Sequence, residues 1–255
     1  MAERGYSTAL PASLDQVACR NCDVVVIGSG IAGMTVALAL DPRLNVVLIS
    51  KEPFTDSSTY KAQGGIAVAI GQDDSADAHS RDTLQAGQGA CREEAVGILT
   101  GEGPAALAFL QALGADFCRR GPALALAREA AHSCNRVVHY YDYTGRHIAE
   151  TLSASIGRRH NITRLERAFL VDLVTVQGEC CGCIIAYDGS LVYLQAAAVV
   201  VAAGGYSGLF GRSTNAASNS GDGIAVPTGP APSSAIWSLS SFIQPPPCCR
   251  TGYFC

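Results

Sequence analysis

The sequence predicts an α/β fold in which a parallel sheet is joined by an antiparallel β-hairpin. Two short β-branched runs, Asp23 to Ile27 (DVVVI) and Asn45 to Ile49 (NVVLI), flank a single helical pattern from Met34 to Leu40. Asp41-Pro42-Arg43 stops that helix, so the three segments form a β-α-β unit with the usual right-handed crossover. Lys51 to Gly71 is rich in Ser, Thr and Gly and reads as a structured loop. Glu93 to Leu113 has helical spacing. Asn161 to Val176 and Glu179 to Leu194 read as strands, the second turned at Asp188-Gly189, and Ala196 to Ala203 reads as a fully buried strand entering Gly204-Gly205. No internal repeat is present.

The 255 residues include 48% hydrophobic positions, 27 Gly and 11 Cys, with 18 Lys plus Arg against 22 Asp plus Glu. A net charge of -4 and the lack of a local basic cluster argue against a nucleic-acid partner. No apolar run reaches the roughly 18 residues of a membrane span. The first residues carry Glu3, Arg4, Asp15 and Arg20 where a secretory signal needs an apolar region, so a cytoplasmic protein without a membrane partner is expected. Cys19 and Cys22 form a CxxC and Cys180, Cys181 and Cys183 form a cluster. Neither has a second half that would complete four ligands, so no metal is expected, and the cluster reads as one face of an edge hairpin.

Three regions follow from composition: an N-terminal extension, 1–22; a body, 23–226; and a tail, 227–255. The tail holds six of the 11 prolines, the single Trp and three cysteines, with Arg250 its sole charged side chain. It has no hydrophobic period with which to continue a packed sheet.

Chemistry enters at Gly28-Ser29-Gly30-Ile31-Ala32-Gly33, a GxGxxG lying after a strand and before a helix. In that context Gly28 makes the turn, Gly30 lets the backbone approach a pyrophosphate, and Gly33 packs helix on strand, the Rossmann-like arrangement. The alternative is a purely structural glycine turn. An acidic ribose ligand normally ends the second strand, but Ser50-Lys51-Glu52 stands there; either Glu52 reaches the ribose or the cofactor is held differently from NAD.

Ser57-Ser58-Thr59-Tyr60-Lys61-Ala62-Gln63-Gly64-Gly65-Ile66 and Asp74-Ser75-(x)3-His79-(x)2-Asp82-Thr83-(x)2-Ala86-Gly87 resemble the succinate dehydrogenase/fumarate reductase flavoprotein family, most closely its aspartate oxidases. Arg128-Glu129-Ala130-Ala131-His132-Ser133, Arg136, His139, Asp142-(x)-Thr144-Gly145-Arg146, Leu165-Glu166-Arg167, Ala203-Gly204-Gly205, Thr214-Asn215 and Gly221-Asp222-Gly223-Ile224 extend the likeness in family order. The resemblance implies an FAD-binding domain, with Ser29 to Ala32 on the pyrophosphate, Lys51 near the adenosine ribose, Ser58 to Gly65 around the isoalloxazine and Asp222 on the flavin nucleotide. Membrane-complex members carry a flavin-linked His where Ser58 stands. Serine cannot form that bond, so a non-covalent flavin is implied.

By the same resemblance Glu129 orients the substrate. A carboxylate beside a dicarboxylate repels it unless the substrate also carries a cation, and L-aspartate has an ammonium that succinate lacks. The bland reading of Glu129 is a solvated surface charge. Ala130 and Ala131 replace two family glycines, a departure that bears on close backbone approach. His79, His132 and His139 match family positions but read equally as hydrogen-bonded structural side chains.

The implied reaction is oxidation of L-aspartate to iminoaspartate, the first step of NAD biosynthesis, with oxygen or fumarate reoxidising the flavin. A complete family member is about twice as long and carries its catalytic Arg and carboxylate-gripping residues after the region matched here, so low activity is expected of these 255 residues alone. The tail suggests why. If Ile236 to Pro245 is written ATC TGG AGT TTG TCC AGT TTC ATC CAG CCA and read from the last base of the first codon, it encodes Leu-Glu-Phe-Val-Gln-Phe-His-Pro, which resembles the next family segment. A frameshift near Val226 is therefore expected. The competing readings are a soluble fumarate reductase or succinate dehydrogenase flavoprotein, and an inactive FAD-binding fragment.

Overall fold

The computed structural model describes residues 17–226 and the two-residue strand Tyr6–Ser7. Most of the extension before Asp23, the tail from Pro227 and the frameshift expectation lie outside the described residues. In chain order the elements begin with β1 (Tyr6–Ser7), β2 (Ala18–Asn21), β3 (Val24–Ile27), α1 (Ile31–Ala39), β4 (Val46–Ser50), α2 (Ser58–Lys61), β5 (Ile66–Ala67), α3 (Ala76–Ala86) and α4 (Glu93–Ala112). They continue with β6 (Arg119–Arg120), β7 (Ala123–Leu124), β8 (Leu126–Ala127), β9 (Val137–Val138), α5 (Thr144–Gly157), β10 (Ile162–Glu166), β11 (Phe169–Val176), β12 (Glu179–Tyr187), β13 (Ser190–Gln195), β14 (Ala198–Val201) and α6 (Asp222–Ala225). Among the described residues no helix is long and apolar enough to cross a membrane.

The chain divides into two compact units. The described part of the first comprises residues 6–7, 17–60 and 152–226, that of the second residues 61–151. The first unit contains a parallel sheet in the order β10-β4-β3-β14 and a second sheet in the order β1-β11-β12-β13-β2. All four residues of β3 are buried, as a strand flanked on both edges and covered on both faces requires. Val25, Ile27, Ile49 and Leu165 of the parallel sheet share one core with Leu170, Cys183, Ile185, Val192 and Leu194 of the other. The second unit carries α3, α4 and two small antiparallel sheets, β5-β9-β8 and β6-β7.

The β-α-β unit, the long helix and the hairpin at Asp188-Gly189 stand where the sequence places them. Three expectations need correction. The last strand is shorter than Ala196 to Ala203 and only partly buried, because among the described residues β14 is an edge of its sheet with a neighbour on one side. The loop Lys51 to Gly71 contains the one-turn helix α2 and the short strand β5. The cysteine cluster is not on an edge hairpin: β12 is the central strand of its sheet, with a register shift beside Cys181. Cys183 therefore points into the core, where burial pushes its thiol up to about 12, and burial also raises Cys22 to about 11. Neither offers a reactive thiolate at neutral pH.

Candidate functional site

In the first unit the site is built at the turn between β3 and α1. Gly28 has φ of +110°, and a Cβ there would lie 2.2 Å from the Ala202 carbonyl oxygen. At Gly33 a Cβ would lie 1.8 Å from the carbonyl oxygen of Gly28, so helix and turn touch through bare backbone. Gly30 is different: a Cβ there would make only an ordinary contact, with Thr59 Oγ1 at 3.5 Å. Gly30 is also the N-cap of α1 and has no side chain with which to cap it, and the first turn holds no acidic residue. The result is a helix N-terminus fronted by bare backbone, which is suited to an anionic phosphate group. Ser29 is buried in this turn, whereas Ile31 and Ala32 on the first turn of α1 are exposed.

Two distant segments close around this turn. Thr59 Oγ1 accepts a hydrogen bond from the Ile31 amide at 3.0 Å, and the Tyr60 amide donates to Ser57 Oγ at 3.1 Å. Ser58 Oγ accepts from Asn219 Nδ2 at 2.8 Å and from the Ala216 amide at 3.4 Å. At the end of β4, Lys51 Nζ donates to Ser220 Oγ and to Asp222 Oδ2, and the Lys51–Asp222 pair is about one quarter exposed. Two residues 171 apart in sequence, each assigned to the nucleotide by resemblance, thus meet. Glu52 is exposed, and its carbonyl accepts from Ser50 Oγ at 2.6 Å. The cation Lys51, not a free acidic residue, holds the position that an NAD site gives to a carboxylate.

These residues fit the adenosine and pyrophosphate parts of FAD. The phosphates need N–H donors without a carboxylate in the same turn, which the front of α1 supplies apart from the Ile31 amide, already given to Thr59; ribose hydroxyls need both donors and acceptors, which Lys51, Ser220 and Asp222 supply. Asn219 and Ser220 are not singled out by the sequence. Their position directly before Gly221-Asp222-Gly223 is the available signal.

The remaining expected residues, Lys61, Ala62, Gln63, Gly64, Gly65 and Glu129, belong to the second unit. The Ala62 carbonyl accepts from the Gly145 amide at 3.0 Å. A Cβ on Gly65 would lie 2.4 Å from the Val138 carbonyl oxygen, so this backbone packs directly on β9. Glu129 is exposed, and its Oε1 is the nearest atom to where a Gly64 Cβ would stand, at 3.4 Å. The structure thus brings the Glu129 carboxylate beside Gly64 of a separate motif.

Behind Glu129 lies a charged cluster. Arg136 is fully buried and donates to Asp74 through Nε and Nη2 at 2.9 and 2.8 Å, and to Asp82 through Nη1 at 2.7 Å. Burial alone pushes the Asp82 carboxyl up, but two hydrogen bonds from Ser133 and the Arg136 charge together hold it below its ordinary value. His79 and His132 stand edge to face, 5.7 Å apart, and burial followed by Arg136 lowers both. The Nδ1 atom of His79 has no hydrogen-bond partner. His139 lines a cavity of about 770 Å³ together with Arg120, Arg128 and Asn135 and with Asp74 and Ser133 of this cluster.

Residues 23–228 match the family model described as FAD binding domain. An L-aspartate oxidase of Nostoc sp. is 44% identical over 206 residues, covering 80% of this chain and 36% of that protein. An L-aspartate oxidase of Neisseria meningitidis serogroup B is 36% identical over 208 residues, covering 81% and 41%. Among solved structures, the apo Sdh1 complex of Mycobacterium smegmatis and a point mutant of the E. coli quinol fumarate reductase FrdA each align with a TM-score of 0.78 at 28% identity. They cover 83% of this chain and 39% and 37% of theirs. The chain therefore spans well under half the length of the relatives it matches.

Proposed function

The chain belongs to the FAD binding domain family, and from that premise we propose that it is the nucleotide-holding part of a flavoprotein that oxidises L-aspartate to iminoaspartate in NAD biosynthesis. The observation that carries this reading is the bare-backbone front of α1 together with the Lys51–Ser220–Asp222 group. FAD, when bound, supplies the acceptor for the hydride of the substrate α-carbon, with oxygen or fumarate taking the electrons onward.

This chain's own residues have distinct tasks. Ser29 to Ala32 present backbone to the pyrophosphate. Lys51 and Asp222 hold the adenosine side, with the ammonium fixed against its carboxylate so that neither swings away. Ser58 keeps its hydroxyl engaged by Asn219 and has no imidazole to offer, which supports a non-covalent flavin. Thr59, Tyr60, Lys61, Ala62, Gln63, Gly64 and Gly65 wrap the ring system. Glu129 orients substrate by pairing with the α-ammonium, so L-aspartate is favoured and a dicarboxylate without a cation is repelled.

The test compares L-aspartate with succinate as ligands of the FAD-loaded chain, read by perturbation of the flavin spectrum. L-aspartate binds the more tightly, and Glu129→Gln abolishes the preference. Equal or tighter binding of succinate would instead support the fumarate reductase or succinate dehydrogenase reading, which the structural likeness to the M. smegmatis and E. coli proteins keeps in view.

A further inference from the structure

The Arg128 to Ser133 segment is exposed except for the half-buried His132, yet it is closed on itself and tied down at its Ser133 end. The Ser133 amide and its Oγ both donate to Asp82 Oδ2, each at 2.7 Å. Arg128 Nε donates to the His132 carbonyl at 2.8 Å, and the His132 amide donates to the Glu129 carbonyl at 3.3 Å. Ala131 inside this turn has φ of +66°, a conformation in which an L-residue with a Cβ is strained. A strained exposed turn opens unless something holds it, and the only carboxylate bonded to it among the described residues is Asp82. Asp82 is itself fixed from behind by Arg136, which is held on Asp74, a side chain 1% exposed, and which also reaches the turn through longer contacts of 3.4 Å to Ser133 Oγ and His132 Nδ1.

We propose that Asp82 is a positioning residue: anchored by Arg136, it clamps the Arg128 to Ser133 turn and thereby sets where the Glu129 carboxylate stands beside Gly64. A carboxylate in this role accepts two hydrogen bonds at one oxygen and a charged one from the guanidinium. Its amide analogue keeps the shape of the side chain but loses the charge that makes these bonds strong. The consequence for ligand choice rests on the reading of Glu129 as the group that meets the substrate ammonium; the clamp itself does not.

The test is Asp82→Asn in the 255-residue chain, read by hydrogen exchange of individual amides and by the ratio of L-aspartate to succinate affinity. The amides of residues 129–134 exchange roughly tenfold faster or more, the scale of one charged hydrogen bond lost, while those of α3 and α4 are unchanged. The affinity ratio falls toward one, whereas a merely structural loss weakens both ligands alike. If Asp82→Asn fails to fold, Ser133→Ala removes one of the two bonds and gives a smaller local loosening at the same amides. Unchanged exchange at 129–134, or a uniform rise over the whole second unit, overturns the clamp. If the unsubstituted chain does not distinguish the two ligands, the reading of Glu129 falls and the exchange result alone decides the clamp.

Discussion

The turn of the first unit and the turn of the second achieve order by opposite means. Gly28 to Gly33 is held by absence: at Gly28 and Gly33 there is no room for a side chain, and at Gly30, where a Cβ would touch only Thr59 Oγ1, bare backbone is left for a ligand to approach. Arg128 to Ser133 is held by presence, since a buried guanidinium, two carboxylates and a serine pin a segment that includes a left-handed alanine. Steric order of the first kind does not respond to pH, and electrostatic order of the second kind does. The comparison therefore predicts which perturbations each region will feel.

Arg136→Met removes the guanidinium and leaves Asp74 buried without its partner, and it should cost about 3–5 kcal/mol, measured as a fall in the urea midpoint. A loss under about 1 kcal/mol, the scale of an exposed pair, would mean that the cluster does not act as a buried charge network. Next in size is Gly33→Ala in the first unit. The added Cβ meets the Gly28 carbonyl, an overpacking worth roughly 1–3 kcal/mol or more, and this loss should be the same at pH 7 and pH 5.

Acid separates the two regions. His79 and His132 have folded values below their ordinary one, so the unfolded chain binds more protons as pH falls through about 6.5. Stability is highest above that range and declines on acidification toward the folded values. Asp82, also lowered, adds stability above its ordinary value that is lost as pH falls through its folded one. Exchange measured between pH 7 and pH 5 should show the second unit loosening first, while β3 and β4 stay protected. The smallest effect has the opposite sign: Ala131→Gly relieves the left-handed alanine and should add up to about 1 kcal/mol of stability, measured as a rise in the urea midpoint.

The same contrast explains what is legible in the sequence. Backbone constraints leave local signatures, so GSGIAG between two valine-rich runs points directly to strand, turn and helix. The motif string that contains Asp74, His79 and Asp82 is visible too, but nothing in its spacing says that Asp74 and Asp82 converge on Arg136, 62 and 54 positions away. Helix α3 leaves little trace because its 11 residues are mostly polar, with His79 its single buried side chain, although Ser75 caps it through the Ala78 amide. Helix α5 is absent from the sequence reading although Ile148, Ala149, Leu152 and Ile156, all buried, recur at helical spacing. The partial exposure of β14 is invisible for a different reason, since strand order is a property of the sheet and not of the strand.

The central claim is that the first unit holds FAD without a covalent bond. The direct measurement is to incubate the purified 255-residue chain with FAD, remove free flavin by gel filtration and record the visible spectrum before and after acid precipitation. The expected result is one flavin per folded chain, released entirely into the supernatant by acid. A chain that circular dichroism shows to be folded but that retains no flavin, or one whose flavin stays with the precipitate, would contradict it.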